Sequence, residues 1–296
     1  MSEFLKDILR LTISTFIIFL LLLMFGDWSS STFYYKVAPQ KLDSMIIGGS
    51  RALQGIDPEI LNKYLQRDDI FNYAFSNETS PYGALYFDSI SKKLKKSSKK
   101  NIYLICVNPS TISSETKNPN DEKNFRELKT DLLVENYSNG LAGKMKFYFS
   151  RYRKGLINLI INDGISKTHK NGYLELNLKN DKTRLDRKIS GMKKGISELN
   201  FSSIRFNYLD KTIRHLKNSG EVYLIRLPMH PKIHDLENQF MSDFNDVIRH
   251  LAKKNKIEYF DLTLFNGDYE YTDGTHLKYS SAQLVSEKIS FYIMSR

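Results

Sequence analysis

The stretch SMIIGGSRALQGIDPEI, residues 44–60, holds a strand, a sharp turn and a helix start in one short run. Ser44 to Gly48 is an apolar run closed by glycines and reads as a buried strand. Gly48 and Gly49 permit a tight turn and close approach of a partner to the backbone, and Ser50 stands on that turn. Asp57 as N-cap, Pro58 at the first helical position and Glu59 in the first turn then open a helix. Outward from this unit the pattern repeats. Strands are expected at Ile70 to Phe75, Ile102 to Val107, Val222 to Leu227 and Ile257 to Leu262. Helices are expected at Tyr82 to Lys96, Ile204 to Lys217, Leu236 to Lys253 and Ser280 to Met294. Strands alternating with helices imply right-handed crossovers and a mainly parallel five-stranded sheet covered on both faces. Such α/β sheets carry their sites in the loops at the carboxyl ends of the strands.

The composition agrees with one folded α/β domain. The chain has 296 residues, 41% hydrophobic and 26% charged, which excludes wholesale disorder. One cysteine, Cys106, excludes a disulfide scaffold and a cysteine-based zinc site. The net charge of +11 invites a nucleic-acid partner, but the excess is spread along the chain with no recognition-module signature, so surface lysine explains it and no nucleic acid is expected. The basic run KKLKKSSKK, Lys92 to Lys100, falls where a helix ends, a position that suits cations.

One segment is apolar enough to cross a bilayer. Leu11 to Gly26 is uncharged between Arg10 and Asp27; sixteen helical residues span about 24 Å, and Ile8 and Leu9 extend the run if Arg10 snorkels. Trp28 suits the far interface. A signal peptide has a similar layout, but no A-x-A-like cleavage site follows, so residues 1–30 are expected to be an uncleaved single-pass anchor. Lys6 and Arg10 before the segment nearly balance Lys36 and Lys41 after it; the short leading tail favours tail inside and domain outside. The remainder, 31–296, is one domain interrupted at about 110–200. Within that insertion Tyr137 to Ile160 places Leu141, Met145, Tyr148, Tyr152, Leu156 and Leu159 at helical spacing. Lys144, Lys146, Arg151, Arg153 and Lys154 are interleaved with them. This reads as a helix packed on the main domain, with a membrane surface or a partner as the other use of a basic amphipathic face. Leu174, Leu176 and Leu178 alternate and suit a small strand.

Several chemical signals are weak. GGSRALQG lacks the Lys-Ser/Thr of a phosphate loop, so no cofactor is expected. His230 and His234 are separated by Pro231, which disfavours a shared metal face, and no metal is expected. His276 is more informative. It lies in YTDGTHLKYSSAQL, three residues after Asp273 and just before a helix. An Asp-x-x-His turn can set a carboxylate on imidazole Nδ1–H and leave Nε2 as a base, half of a nucleophile triad. Ser50, on its strand-end turn, suits the other half.

The order Gly48-Gly49-Ser50 after the first strand, FNYAFSNETSPYG (71–83) after the second, ICVNPS (105–110) after the third and DGTHL (273–277) before the last helix resembles the SGNH, or GDSL-type, hydrolase superfamily. It is similar in particular to membrane-anchored members of bacterial envelopes, over about residues 40 to 110 and 204 to 294. The resemblance implies a flavodoxin-like three-layer fold and serine esterase or O-acyltransferase chemistry on a carbohydrate or other polymeric ester. It implies Ser50 as nucleophile, His276 as general base and Asp273 as its orienter. The oxyanion donors it implies are the Ser50 N–H, the Asn77 N–H and the Asn108 side chain. Transfer outside a membrane would call for an acyl-exporting membrane partner. A non-catalytic envelope subunit on the same fold is the alternative. Three blocks depart from the family: Gly49 stands where an Asp is usual, Asn77 where a Gly is usual, and the third block reads VNPS (107–110) where a Gly-x-Asn-Asp type turn is commoner. Arg51, Arg226 and His230 stand near the same strand ends and are equally readable as surface or loop residues.

Overall fold

In the computed structural model the described residues are 2–296 apart from 32, 39–40, 96–99, 131, 134–136, 139, 153–155, 161–163, 179–180 and 182. Arg153 and Lys154 therefore lie outside the described residues. In chain order the first elements are helix α1 (Glu3–Phe25), the one-turn α2 (Tyr34–Val37), strand β1 (Ser44–Ile47), α3 (Ser50–Gly55), α4 (Pro58–Tyr64), β2 (Ile70–Asn72), α5 (Ala84–Lys93) and β3 (Asn101–Cys106). The insertion follows: β4 (Ser113–Ser114), α6 (Leu141–Ser150), a 3₁₀ turn (Leu156–Leu159), β5 (Ser166–Thr168), β6 (Leu174–Leu176), α7 (Thr183–Glu198) and β7 (Asn200–Phe201). The chain ends with α8 (Ser203–Lys217), β8 (Gly220–Arg226), α9 (Pro231–Phe240), α10 (Phe244–Asn255), β9 (Glu258–Asp261) and α11 (Tyr279–Met294).

The main sheet runs β2-β1-β3-β8-β9 with every pair parallel, the doubly wound flavodoxin-like order. Alternation splits its side chains between two cores. Met45, Ile47, Tyr103, Ile105 and Leu224 face Tyr86, Ile90, Leu209, Ile213 and Ile248 of α5, α8 and α10. Ile46, Leu104, Ile225 and Phe260 face Leu53, Leu61, Val285 and Ile289 of α3, α4 and α11. All strand ends that matter for chemistry therefore open at one edge of a three-layer α/β sandwich.

Local boundaries follow identifiable groups. The Asp57 carboxylate accepts from Glu59 N–H at 2.9 Å and Pro58 fills the first turn of α4, as its cap sequence requires. The expected helix from Leu236 to Lys253 is instead two, α9 and α10, because Met241 leaves helical geometry at φ −146°, ψ 80°. The expected helix from Tyr137 to Ile160 is α6 followed by the Leu156–Leu159 turn. Its apolar residues change partners along the way: Phe147 and Tyr152 pack on Trp28 in the core, while Leu159 lies against Gly26 at the end of α1.

Trp28 is a correction to the interface role expected of it. It is 1% exposed, boxed in by Tyr34, Phe147 and Tyr152, and its indole N–H donates to Leu23 O at 3.2 Å. Helix α1 itself is long and apolar enough to cross a membrane; of its residues Leu23 is buried.

Candidate active site

The turn after β1 is built for close approach. Gly48 has φ +151°, and a Cβ there would lie 2.9 Å from that of Cys106. Residue 48 is therefore confined to glycine by both conformation and space. Gly49 caps α3 and Ser50 is its first residue. Here the serine hydroxyl meets the far end of the chain: Ser50 Oγ is 2.9 Å from His276 Nε2. His276 Nδ1 is 2.9 Å from Asp273 Oδ2. The other carboxylate oxygen, Oδ1, accepts from His276 N–H at 2.9 Å and from Thr275 N–H and Oγ1–H at 2.9 and 2.8 Å. One oxygen thus holds the turn while the second holds the imidazole.

Burial works against the Asp273 charge, but it is outweighed by the hydrogen bonds from His276, the His276 charge and Lys188, whose Nζ lies 3.7 Å from Oδ2. Its carboxyl is held well below the ordinary carboxylate range. An ionised carboxylate can only accept, so it fixes the proton on Nδ1 and leaves the Nε2 lone pair facing Ser50 Oγ.

Asn77 packs directly on the turn that carries Ser50. A Cβ built on Gly49 would be 2.0 Å from Asn77 Oδ1, so the residues at 49 and 77 are coupled: the side chain at 77 occupies the room that a side chain at 49 would need. Asn77 Nδ2 donates to Ser110 Oγ at 3.4 Å, and Ser110 Oγ donates to Asn108 Oδ1 at 2.6 Å. Ser50, Asn77, Ser110 and His276 share one cavity of about 290 Å³. Asn108 is not among its lining residues; it stands one hydrogen bond away through Ser110. Ser110 escapes sequence reasoning because a serine after Asn-Pro is an ordinary turn residue.

The far wall of the cavity is α7 and the residue after it: Met192, Ile196 and Leu199 line it together with Phe240 of α9. Gly191 and Gly195 also line it, and a Cβ on either would meet nothing within 4 Å. Arg51 does not point to solvent. Its guanidinium donates to Glu237 Oε1 at 2.6 Å, and Arg226 donates to Glu237 Oε2 at 3.2 Å. Burial opposes the Glu237 charge, yet the two arginines hold its carboxyl below the ordinary range. Two buried guanidiniums on one carboxylate lock α3, β8 and α9 together beside Ser50. Glu237 has no local signature: one partner is 186 residues away and the other, 11 residues away, lies on a different element. His230 caps α9, its Nδ1 accepting from Lys232 N–H at 3.2 Å, and is not among the cavity-lining residues.

No family model matches the chain, and no curated protein matches it. Among solved structures it is similar to a carbohydrate acetylesterase from Sinorhizobium meliloti, with 10% identity, 86% of this chain and 99% of that chain covered, and a TM-score of 0.39. It is also similar to a family two carbohydrate esterase from Clostridium thermocellum, with 11% identity, 87% and 65% covered, and a TM-score of 0.39. An aryl esterase of M. smegmatis gives 10% identity, 85% and 99% covered, and a TM-score of 0.37.

Proposed function

We propose that the chain is a serine esterase of the SGNH type, tethered to a membrane by residues 1–30, whose 31–296 domain acts outside the membrane on acyl esters of a carbohydrate or envelope polymer. The observation that carries this reading is the Ser50–His276–Asp273 hydrogen-bond relay at the carboxyl end of a parallel sheet. In the reaction, His276 Nε2 takes the hydroxyl proton as Ser50 Oγ adds to the ester carbonyl carbon. Asp273 stabilises the imidazolium that forms. The Ser50 and Asn77 amides serve the oxyanion, each donor being worth about 2.7–4 kcal/mol when aimed at the developing charge, while Asn108 stands behind Ser110 and holds that loop. Collapse breaks the bond to the sugar oxygen, which leaves with the proton from His276, and the acyl group stays on Ser50. His276 then deprotonates water, which displaces the acyl group as acid and returns Ser50. A sugar hydroxyl in place of water gives O-acyl transfer by the same steps, supplied from an acyl-exporting membrane partner. A cavity walled by Met192, Ile196 and Phe240 suits a small apolar acyl group.

The test is a fluorophosphonate probe on the detergent-solubilised full chain. Ser50 is expected to be labelled, and labelling is expected to vanish in folded Ser50→Ala and His276→Ala variants. Equal labelling of Ser50→Ala moves the nucleophile to another serine. A folded wild type that never reacts favours the non-catalytic subunit.

A further inference from the structure

The last turns of α1 do not stand free of the domain. The Phe19 ring lies 5.6 Å from Tyr148 and 6.0 Å from Phe149 of α6. Lys144 of α6 donates its ammonium to Met24 O, and Asp27 N–H donates to Leu159 O at 2.7 Å. A Cβ on Gly26 would be 2.8 Å from Leu159 Cβ, so the 3₁₀ turn is in close contact with the end of α1. Around this seam large apolar side chains are left outside: Phe149 is 71% exposed, Ile157 62% and Ile160 61%. They lie on or next to the elements that touch α1, whose own Phe16, Leu21 and Phe25 are exposed as well. Single exposed apolar residues need no explanation, but a cluster continuous with an apolar helix does.

Depth can be worked from the helix. At 1.5 Å per residue, Phe19 lies about 9 Å along α1 from Phe25, the last residue before Gly26 and Asp27. Phe149 touches α1 at the level of Phe19. With α1 in a bilayer and its last residue, Phe25, at the surface, Phe149 is carried to a depth that matches the roughly 5–10 Å at which interfacial helices seat their apolar faces. We infer that α6 and the Leu156–Leu159 turn form a collar that dips into the same leaflet as α1, with Phe149, Ile157 and Ile160 against lipid acyl chains. The domain is then held by two adjacent attachments, which fix its orientation on the membrane. The collar also shortens what α1 must do alone: its charge-free run from Leu11 to Phe25 covers about 22 Å, against a hydrocarbon core of about 30 Å. This inference rests on the reading of α1 as a membrane span.

Single cysteines at Phe149, Ile160, Ile17 and Leu264 in the full chain, carrying an environment-sensitive fluorophore, test both. Native Cys106 is buried in β3 and provides the unlabelled blank. Leu264, 82% exposed, follows β9 at the sheet edge opposite β2, the strand that α2 reaches through Lys36 and Asn72, and serves as the water control. The proteins are reconstituted in phosphatidylcholine vesicles with or without brominated acyl chains. Emission is expected to be lost to bromine at 149 and 160, as at 17, and retained at 264. Loss at 17 with 149 and 160 behaving like 264 overturns the collar and keeps the anchor. Retention at all four positions overturns the anchor and the collar with it.

Discussion

Gly49 and Asn77 are expected to behave as one unit. Gly49→Ala places a methyl 2.0 Å from Asn77 Oδ1 and 3.2 Å from its Cγ, so the carboxamide must move by more than an ångström. The backbone at residue 49, φ −91° and ψ −162°, is open to any residue, so the penalty is contact and not conformation. Moving the carboxamide strains its bond to Ser110, which in turn holds Asn108. Overpacking of this kind costs about 1–3 kcal/mol. If Asn77 contributes through its backbone N–H, displacement of its loop also removes an oxyanion donor, about 10²–10³ in kcat. Asn77→Gly removes the obstructing group but keeps the amide. The double variant is therefore expected to regain most of the loss, with a coupling of about 0.5–3 kcal/mol. The assay is hydrolysis of p-nitrophenyl acetate by the four members of the cycle, with thermal unfolding of each in detergent. Additive losses in the double variant would refute the steric coupling. A folded Asn77→Gly that alone loses two orders of magnitude would show that the side chain, not the amide, is what counts.

Asp273→Asn is expected to fold and to lose about 10⁴ in kcat, because an amide no longer fixes the imidazole tautomer; rates of ester hydrolysis check this. The Asp273 carboxyl is depressed in the folded state, so its stabilisation is present above the unfolded value of about 3.9 and is lost as pH falls below it. Acid melting curves of Asp273→Asn should accordingly be flatter than those of the wild type. Glu237→Gln leaves the Arg51 and Arg226 charges buried without a counter-charge, and a loss of about 3–5 kcal/mol is expected in denaturant titration. Gly195→Ala enters open space on α7 and is expected to stabilise by up to about 1 kcal/mol, whereas Gly195→Phe should fill the cavity and lower kcat/KM more for long acyl esters than for acetate.

The elements that carry the fold were legible because their signals are local. Met45 to Ile47 closed by two glycines, Asp57-Pro58-Glu59, and the apolar runs at 102–107 and 222–227 each declare a strand or a helix start within a few residues; the parallel sheet follows from their alternation, whereas the flavodoxin-like strand order came only with the family resemblance. Ser50, Asp273 and His276 were legible for the same reason: two short turns, each with a recognisable donor and acceptor spacing. What failed depended on distant partners. Trp28 has the look of an interfacial residue until Phe147 and Tyr152 close over it. Helix α7 was not expected, because among its described residues none is buried and its apolar stripe, Leu185, Ile189, Met192 and Ile196, is diluted by charges and two glycines. Glu237 reads as one more helical acid, since Arg51 is 186 residues away in sequence and Arg226, 11 residues away, lies on a different element at no helical spacing.

The insertion between β3 and α8 is held very differently at its two ends, and the difference bears on how the site is reached. Phe147, Tyr152 and Leu159 are buried against Trp28 and the end of α1, so the α6 end belongs to the core and opens only with it. Helix α7 rests on the domain through half-buried side chains, the approach of Leu185 to Gly274 and the 3.7 Å contact of Lys188 with Asp273. Its two interior glycines each cost about 1 kcal/mol of helix stability relative to alanine. Segments with few buried apolar contacts sit at the low end of local stability. The wall over Ser50 is thus the part of the insertion that separates from the domain at least cost, and the Lys188 contact ties its position to the Asp273 carboxylate. A cavity of about 290 Å³ has room for the acyl end of an ester, so a polymeric substrate, which the proposed function calls for, would lie along the rim that α7 shares with α9. Reach across that rim is then set by the end of the insertion packed on α1, which opens only with the core.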